Sequence, residues 1–300
     1  MMKRARLVKV GLFGLALLMA LPLGSAQASQ PFPDELYVGG FLLGPQAYSF
    51  NRYSLFEAIE NAKAVGCNVI EMYPGQRLSP DDDTGFSHNS DPSVWAKVKM
   101  KLEQTGVRAV NYGVVGLGTD EEAARKVFDF AKLMGIPIVT SEPPLAAMDM
   151  LEKLVKEYDI KLAIHNHPKR PNNPDYKIWD PEYVLSMVEG RDPRIGACAD
   201  TGHWMRSDVD PLEALQVLEG RIISLHLKDL NEFGSEAYQE GRSHDVIWGT
   251  GEAGIEEILD ELRRQHFEGN ISIEYEHNWE NNVGDIAQCV DFVREYGNQN

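Results

Sequence analysis

The chain has 300 residues, with 46 acidic against 29 basic side chains and a formal net charge of −17. So acidic a body repels phosphate backbones, which argues against nucleic acid as a partner. Its three cysteines, Cys67, Cys198 and Cys289, lie far apart in apolar contexts; they imply no disulfide framework and read as buried thiols.

The first stretch is not part of a fold. Lys3, Arg4, Arg6 and Lys9 accompany an apolar run that extends to Leu23, and Ala26-Gln27-Ala28 puts small residues where a signal peptidase reads them. Residues 1–28 are therefore expected to be a secretory signal cleaved after Ala28, making the protein periplasmic or secreted. The run is short for a spanning helix, and no later segment is long and apolar enough to span, so no stable membrane anchor is expected. Four cations leave with the leader, and the remaining body, residues 29–300, is more acidic still.

From there, short apolar runs alternate with amphipathic segments. Strands are expected at Leu36–Leu42, Asn68–Tyr73, Arg108–Val114, Ile136–Ser141, Lys161–Asn166, Ile195–Asp200, Ile222–Leu227 and Ile271–Tyr275. Helices are expected at Ser54–Ala64, Ser93–Gln104, Asp120–Met134, Leu145–Tyr158, Pro181–Glu189, Pro211–Leu218, Ile255–Gln265 and Asp285–Tyr296. Apolar residues within the helices recur at three and four, as in Val127, Phe130, Ala131 and Met134. Glycines such as Gly106 and Gly135 follow helices where a left-handed cap favours them, and Ser93, Asp120 and Asp210 are candidate N-caps. Strict alternation without a composition break predicts an α/β fold, a (β/α)8 TIM barrel as a single domain after the leader. An open doubly wound sheet is the competing architecture, but no glycine-rich fingerprint follows the first strand.

Two loops exceed what closure needs, Pro168–Asp180 and Asn231–Gly254. Both follow strands, so both belong to the face where barrel enzymes place their sites. Gly249-Thr250-Gly251 is too sparse for a phosphate loop; it is either a flexible turn or a part that closes over substrate.

Alternate side chains of a strand share a face. Ser272, Glu274 and Glu276 form a polar face against Ile271, Ile273 and Tyr275. Ile222, Ser224, His226 and Lys228 oppose Ile223, Leu225 and Leu227. His165 and His167 share a face with Ala163, Asp200 with Cys198, Glu142 with Thr140, and Glu71 with Val69. Glu71, Glu142, His165, His167, Asp200, His226, Lys228 and Glu274 should thus converge at one rim. Gathering several carboxylates out of water calls for a positive partner, and a divalent cation supplies it. An oxygen-rich mixed site of three carboxylates and one imidazole favours Mn²⁺, Mg²⁺ or Co²⁺, with Zn²⁺ admissible. Glu142, before Pro143-Pro144, is either a ligand or a helix cap, and Glu274 is preferred to Glu276 because it lies deeper. Lys228 is either functional or a solvated rim lysine.

Asp200-Thr201-Gly202-His203, the His226-Leu227-Lys228-Asp229 strand end and Ile273-Glu274 resemble the xylose isomerase-like TIM barrels over nearly the whole mature chain. That group holds sugar isomerases, ketose 3-epimerases, inosose dehydratases and endonuclease IV. The resemblance implies one divalent metal held by Glu142, Asp200, His226 and Glu274, with His203 contacting substrate. The epimerases carry a glutamate where this chain has His165. A histidine-rich end to that strand looks more like the inosose dehydratases, whose first ligand comes from the fourth strand.

The chemistry implied is proton abstraction next to a sugar carbonyl. The base would be His165, His167 or Glu274, and His203 or Lys228 would serve as acid. Trp179, Trp204 and Trp248 are either platforms for a sugar ring or packing. The expected activity is that of a metal-dependent carbohydrate isomerase or epimerase. The alternatives are a keto-sugar lyase or dehydratase, such as one eliminating the aglycone of a 3-keto-glycoside, and a non-catalytic sugar-binding protein. Oligomeric state is left open.

Overall fold

The computed structural model describes residues 32–299; the expected leader lies outside the described residues. Eight parallel strands form the barrel: β1 (Leu42–Pro45), β2 (Val69–Met72), β3 (Arg108–Tyr112), β4 (Ile138–Ser141), β5 (Lys161–His165), β6 (Ile195–Asp200), β7 (Ile222–Leu227) and β8 (Asn270–Ile273). The helices around them are α1 (Leu55–Ala64), α2 (Pro92–Thr105), α3 (Glu121–Met134), α4 (Met148–Tyr158), α5 (Pro181–Val188), α6 (Pro211–Val217), α7 (Ile255–Arg264) and α8 (Val283–Gln299). The expected alternation is present throughout.

Sheet order runs β1-β8-β7-β6-β5-β4-β3-β2, each strand beside its chain neighbour. The last gap, between β1 and β2, is closed by a single bridge from Gln46 to Glu71. Gly44 permits that approach: a Cβ there would lie 2.1 Å from the carbonyl oxygen of Val69.

The helices form for the reasons the sequence offers. Asp120 accepts hydrogen bonds from the backbone of Glu122 and Ala123, and Asp210 from Leu212 and Glu213. For α2 the cap is Asp91 rather than Ser93, because Pro92 fits the first helical position. Val127, Phe130, Ala131 and Met134 are buried as one face of α3.

Three expectations shift. The first strand begins at Leu42, because Gly39 and Gly40, both at positive φ, turn the chain back so that Val38 bridges Phe41 in antiparallel fashion. An unexpected hairpin pairs residues 77–79 with 82–85 after β2. In β7 the register slips, Ala197 facing Ile222 but Cys198 facing Ser224. The extra residue, Ile223, therefore joins Ile138, Ala163 and Cys198 inside the barrel, while Ile222 packs with the helices.

The barrel interior is layered. Its floor is apolar: Leu42, Val69 and Val110 on one side, Ile138, Ala163, Cys198 and Ile223 on the other. Above lies a buried polar layer. Thr140 donates to Asn111 Oδ1, Asn111 to Asn270, Asn270 to Ser272 Oγ, and Ser272 Oγ to Glu71 Oε2 at 2.5 Å. The strand ends above that layer carry the charged groups.

Candidate metal and catalytic site

Asp200 ends β6 and caps the short helix Thr201–Met205. Its Oδ1 accepts the His203 amide at 2.7 Å, which leaves Oδ2 directed elsewhere. Asn166 fastens the strand end: its Oδ1 accepts the Asp200 amide at 2.8 Å and its Nδ2 donates to the Asp200 carbonyl at 3.0 Å. Gly202 is needed because the Lys228 stem passes beside it; a Cβ at that position would lie 2.7 Å from Lys228 Cβ.

His226 projects inward from β7. Its Nε2 lies 3.0 Å from Glu71 Oε2 and donates to it, so Nδ1 is the nitrogen turned to the site, 2.9 Å from Glu274 Oε2 and 4.0 Å from Asp200 Oδ2. His165 adds Nε2 at 3.5 Å from Asp200 Oδ2. Donor atoms of His165, Asp200, His226 and Glu274 all lie within 4.8 Å of one another, and all four residues are buried. His165 Nε2, Asp200 Oδ2, His226 Nδ1 and Glu274 Oε2 make no well-directed hydrogen bond; their close neighbours are one another and the Lys228 ammonium. Four buried ligand atoms of two imidazoles and two carboxylates converging on one another fit a cation.

The sequence expectation grouped Glu142, Asp200, His226 and Glu274. The structure brings the last three together, with His165 standing in place of Glu142. Glu142 lies on the far side of His165 and forms a second group with His165 and His167. Its Oε1 is 3.4 Å from His165 Nδ1, accepts the Tyr176 hydroxyl at 3.2 Å, and takes a short hydrogen bond from His167 Nδ1. The reason is reach: β4 ends at Ser141, and the His-Asn-His run of β5 stands between that end and β6. Two imidazoles and two carboxylates make a donor set richer in nitrogen than expected, suiting Mn²⁺, Co²⁺ or Zn²⁺ better than Mg²⁺.

Lys228 is not a rim lysine. It is fully buried, and its Nζ lies 3.4 Å from Asp200 Oδ2, 3.1 Å from Glu274 Oε2 and 2.7 Å from Glu276 Oε2. Burial pushes its ammonium down, but Asp200, Glu274 and Glu276 outweigh burial and hold it well above its ordinary range. Burial would raise the Glu274 carboxyl; Lys228 and His226 instead hold it well below. Burial opposes charge on His165 as well, but Asp200 and Glu142 raise it to about 9. Glu142 is held at about 2, against burial, by His165 and His167. His203 is the exception. Burial and the cationic Lys228 and Arg206 drive it well below its ordinary value, so it stands neutral. Arg206 Nη1 sits 3.3 Å from His203 Nδ1 and donates to it, which places the His203 proton on Nε2.

A cavity of ≈ 690 Å³ opens over this cluster, lined in part by His165, His167, His203, Arg206, Glu274 and Glu276. Asp200, His226 and Lys228 lie behind that wall. Both long loops serve it. The first supplies Tyr176, whose hydroxyl accepts the His167 amide at 2.9 Å. The second supplies Asp245, which accepts from Arg206 Nη2 at 2.6 Å and from the Glu276 amide. The Gly249-Thr250-Gly251 turn is clamped: Asp229 Oδ2 accepts the amides of Gly249 and Gly251, both at 2.9 Å.

Sequence reasoning missed Arg206, Asp245 and Tyr176. Arg206 had a signal, since it sits three residues beyond His203 at helical spacing, but only once Asp200 is recognised as an N-cap. The tryptophans proposed as platforms lie elsewhere. Trp204 and Trp248 are buried core, and Trp179 lies under the Lys169 ammonium. The aromatic part of the cavity wall is Tyr48, Tyr73 and Trp279, with Tyr238 at the opposite side's Arg206.

A profile of the family described as xylose isomerase-like TIM barrel matches residues 59–296. The chain is similar to a 3-oxo-isoapionate decarboxylase of Pectobacterium atrosepticum, at 20% identity over 67% of this chain and 73% of that protein. It is also similar to an inosose dehydratase of Clostridium tetani, at 26% identity over 47% of this chain and 49% of that protein, about half its length. Among solved structures, an uncharacterised protein of Parabacteroides distasonis matches with a TM-score of 0.66 at 33% identity, covering 84% of this chain and 98% of that one.

Proposed function

Since this chain belongs to the xylose isomerase-like TIM barrel family, we propose that it is an exported, divalent-metal-dependent enzyme that abstracts a proton next to the carbonyl of a sugar. The observation that carries this reading is the convergence of four buried ligand atoms, two of whose residues, His165 and Glu274, reach the cavity wall. His165, Asp200, His226 and Glu274 would hold the metal, which would polarise the substrate carbonyl. Export rests on the basic and apolar leader alone, and an acidic body speaks against a nucleic-acid substrate.

His167 is the base. Glu142 accepts from its Nδ1 and so fixes the ring with Nε2 as the nitrogen that exchanges protons. His203, neutral and protonated on Nε2, donates a hydrogen bond to oxygen charge that develops as the proton leaves carbon. Lys228, ion-paired to Asp200, Glu274 and Glu276, balances those three carboxylates instead of acting as an acid. Return of the proton to another carbon or face gives isomerisation or epimerisation.

A second reading is elimination, in which the same abstraction expels a neighbouring oxygen. It draws support from the relative named as a dehydratase, since dehydration is such an elimination. Proton NMR of a panel of ketoses and 3-keto-glycosides in D₂O, with and without EDTA, tests both. Metal-dependent deuterium incorporation at carbon supports isomerisation or epimerisation, and release of aglycone or water supports elimination. Absence of both with metal-replete protein overturns proton abstraction.

A further inference from the structure

The cavity wall is divided by chemistry. Histidines and charged groups come from the ends of β5, β6 and β8. The stretches that follow β1, β2 and β8 supply an aromatic sector instead: Tyr48, Tyr73 and Trp279. These strands are consecutive around the barrel, so the three rings stand side by side. Tyr48 meets Tyr73 edge-on at 5.2 Å between centroids and Trp279 at 5.9 Å. Tyr48 is 40% exposed, although it stands at the mouth of a cavity. Pro74 and Val114 extend the same wall.

This wall is built rather than incidental. The turn carrying Tyr48, Ala47–Phe50, is capped by Gln46, which accepts from the Tyr48 amide. Ser49 Oγ donates to the Ile273 carbonyl at 3.2 Å, and Asn282 Nδ2 donates to the Ser49 carbonyl at 2.5 Å. Tyr53 donates to the Glu280 carbonyl at 2.9 Å, steadying the stretch that carries Trp279. Rings fixed before binding lose little entropy when a ligand ring lies on them. The size also exceeds the need of one sugar: a hexose fills roughly 200 Å³ at protein packing density, against ≈ 690 Å³ here.

We propose that the aromatic sector is a second subsite that takes the ring of an aglycone, so that the substrate is a two-ring glycoside with its reacting sugar over the histidines. This rests on the reading of the polar end as a sugar site. The shared chemistry is a six-membered ring that presents a C–H or π face, and either a second pyranose or an aryl group supplies it.

Isothermal titration of purified, Mn²⁺-loaded protein separates these cases with three probes: methyl β-D-glucopyranoside, cellobiose and 4-nitrophenyl β-D-glucopyranoside. At least one two-ring probe should bind about tenfold tighter than the methyl glycoside. The one that does so identifies the ring as sugar or aryl. Tyr48→Ala and Trp279→Ala should each remove most of that ratio, leaving the methyl glycoside within about twofold, while Tyr48→Phe keeps it. Equal affinity for one-ring and two-ring probes, or a ratio that survives both alanine variants, overturns the subsite. A ratio that stands in protein showing no deuterium exchange with any sugar would reject the proposed chemistry and leave the subsite intact.

Discussion

The floor and the rim of this barrel are built from the same strands and obey opposite rules. At the floor, Ile138, Ala163, Cys198 and Ile223 fill space and need no partner but one another. At the rim, the same strands β4 to β7 end in polar groups, and several of those groups are buried against like and unlike charges in one cluster. The floor minimises free energy locally. On the proposal that a cation binds there, the rim does so only when that cation completes it, which separates packing from a site.

The sharpest way to break this contrast is at Asp200. Asp200→Asn keeps a good N-cap for the helix Thr201–Met205 but removes a negative charge from the donor set. Bound metal should be lost, and deuterium exchange should fall by about 10²–10³-fold with little change in Tm. Unchanged exchange would mean that the rim acts without Asp200. The reciprocal experiment is Ile138→Ala. It should cost about 2–5 kcal/mol of stability by denaturant unfolding, while metal content and exchange rate of the folded protein stay as they were. The middle layer gives the smaller effect. Glu71→Gln leaves the fold intact but replaces the carboxylate that orients His226, and metal affinity should weaken about 10–100-fold. An unaltered affinity would make the link from Ser272 through Glu71 to His226 a matter of packing alone.

The floor was more legible than the rim. Period-two alternation identifies inward residues wherever a strand is regular, and it failed at Ile223, where a bulge reversed the count. Asp200, His226 and Glu274 were legible because each ends an apolar run in a group that such a run would not otherwise carry. Glu142 falls in a neighbouring group with His165 and His167, because alternation says which way a side chain faces but not which inward groups are neighbours; β5 lies between β4 and β6, and His165 stands nearer to Asp200. The burial of Lys228 was hidden for the same reason, since only the fold reveals three carboxylates around one ammonium. Tyr48 and Trp279 lie on turns outside any periodic element, so pattern reading had no purchase on them and turned to Trp179, Trp204 and Trp248 instead.

A ring stitched through seven interfaces and buttoned once has a preferred place to come undone. That button joins Gln46, which caps the Tyr48 turn and lines the cavity, to Glu71, which steers His226. Warming this protein should therefore silence it before it melts: backbone amides along β1 and β2 would exchange with solvent first, and turnover would fade while the helical signal still stood.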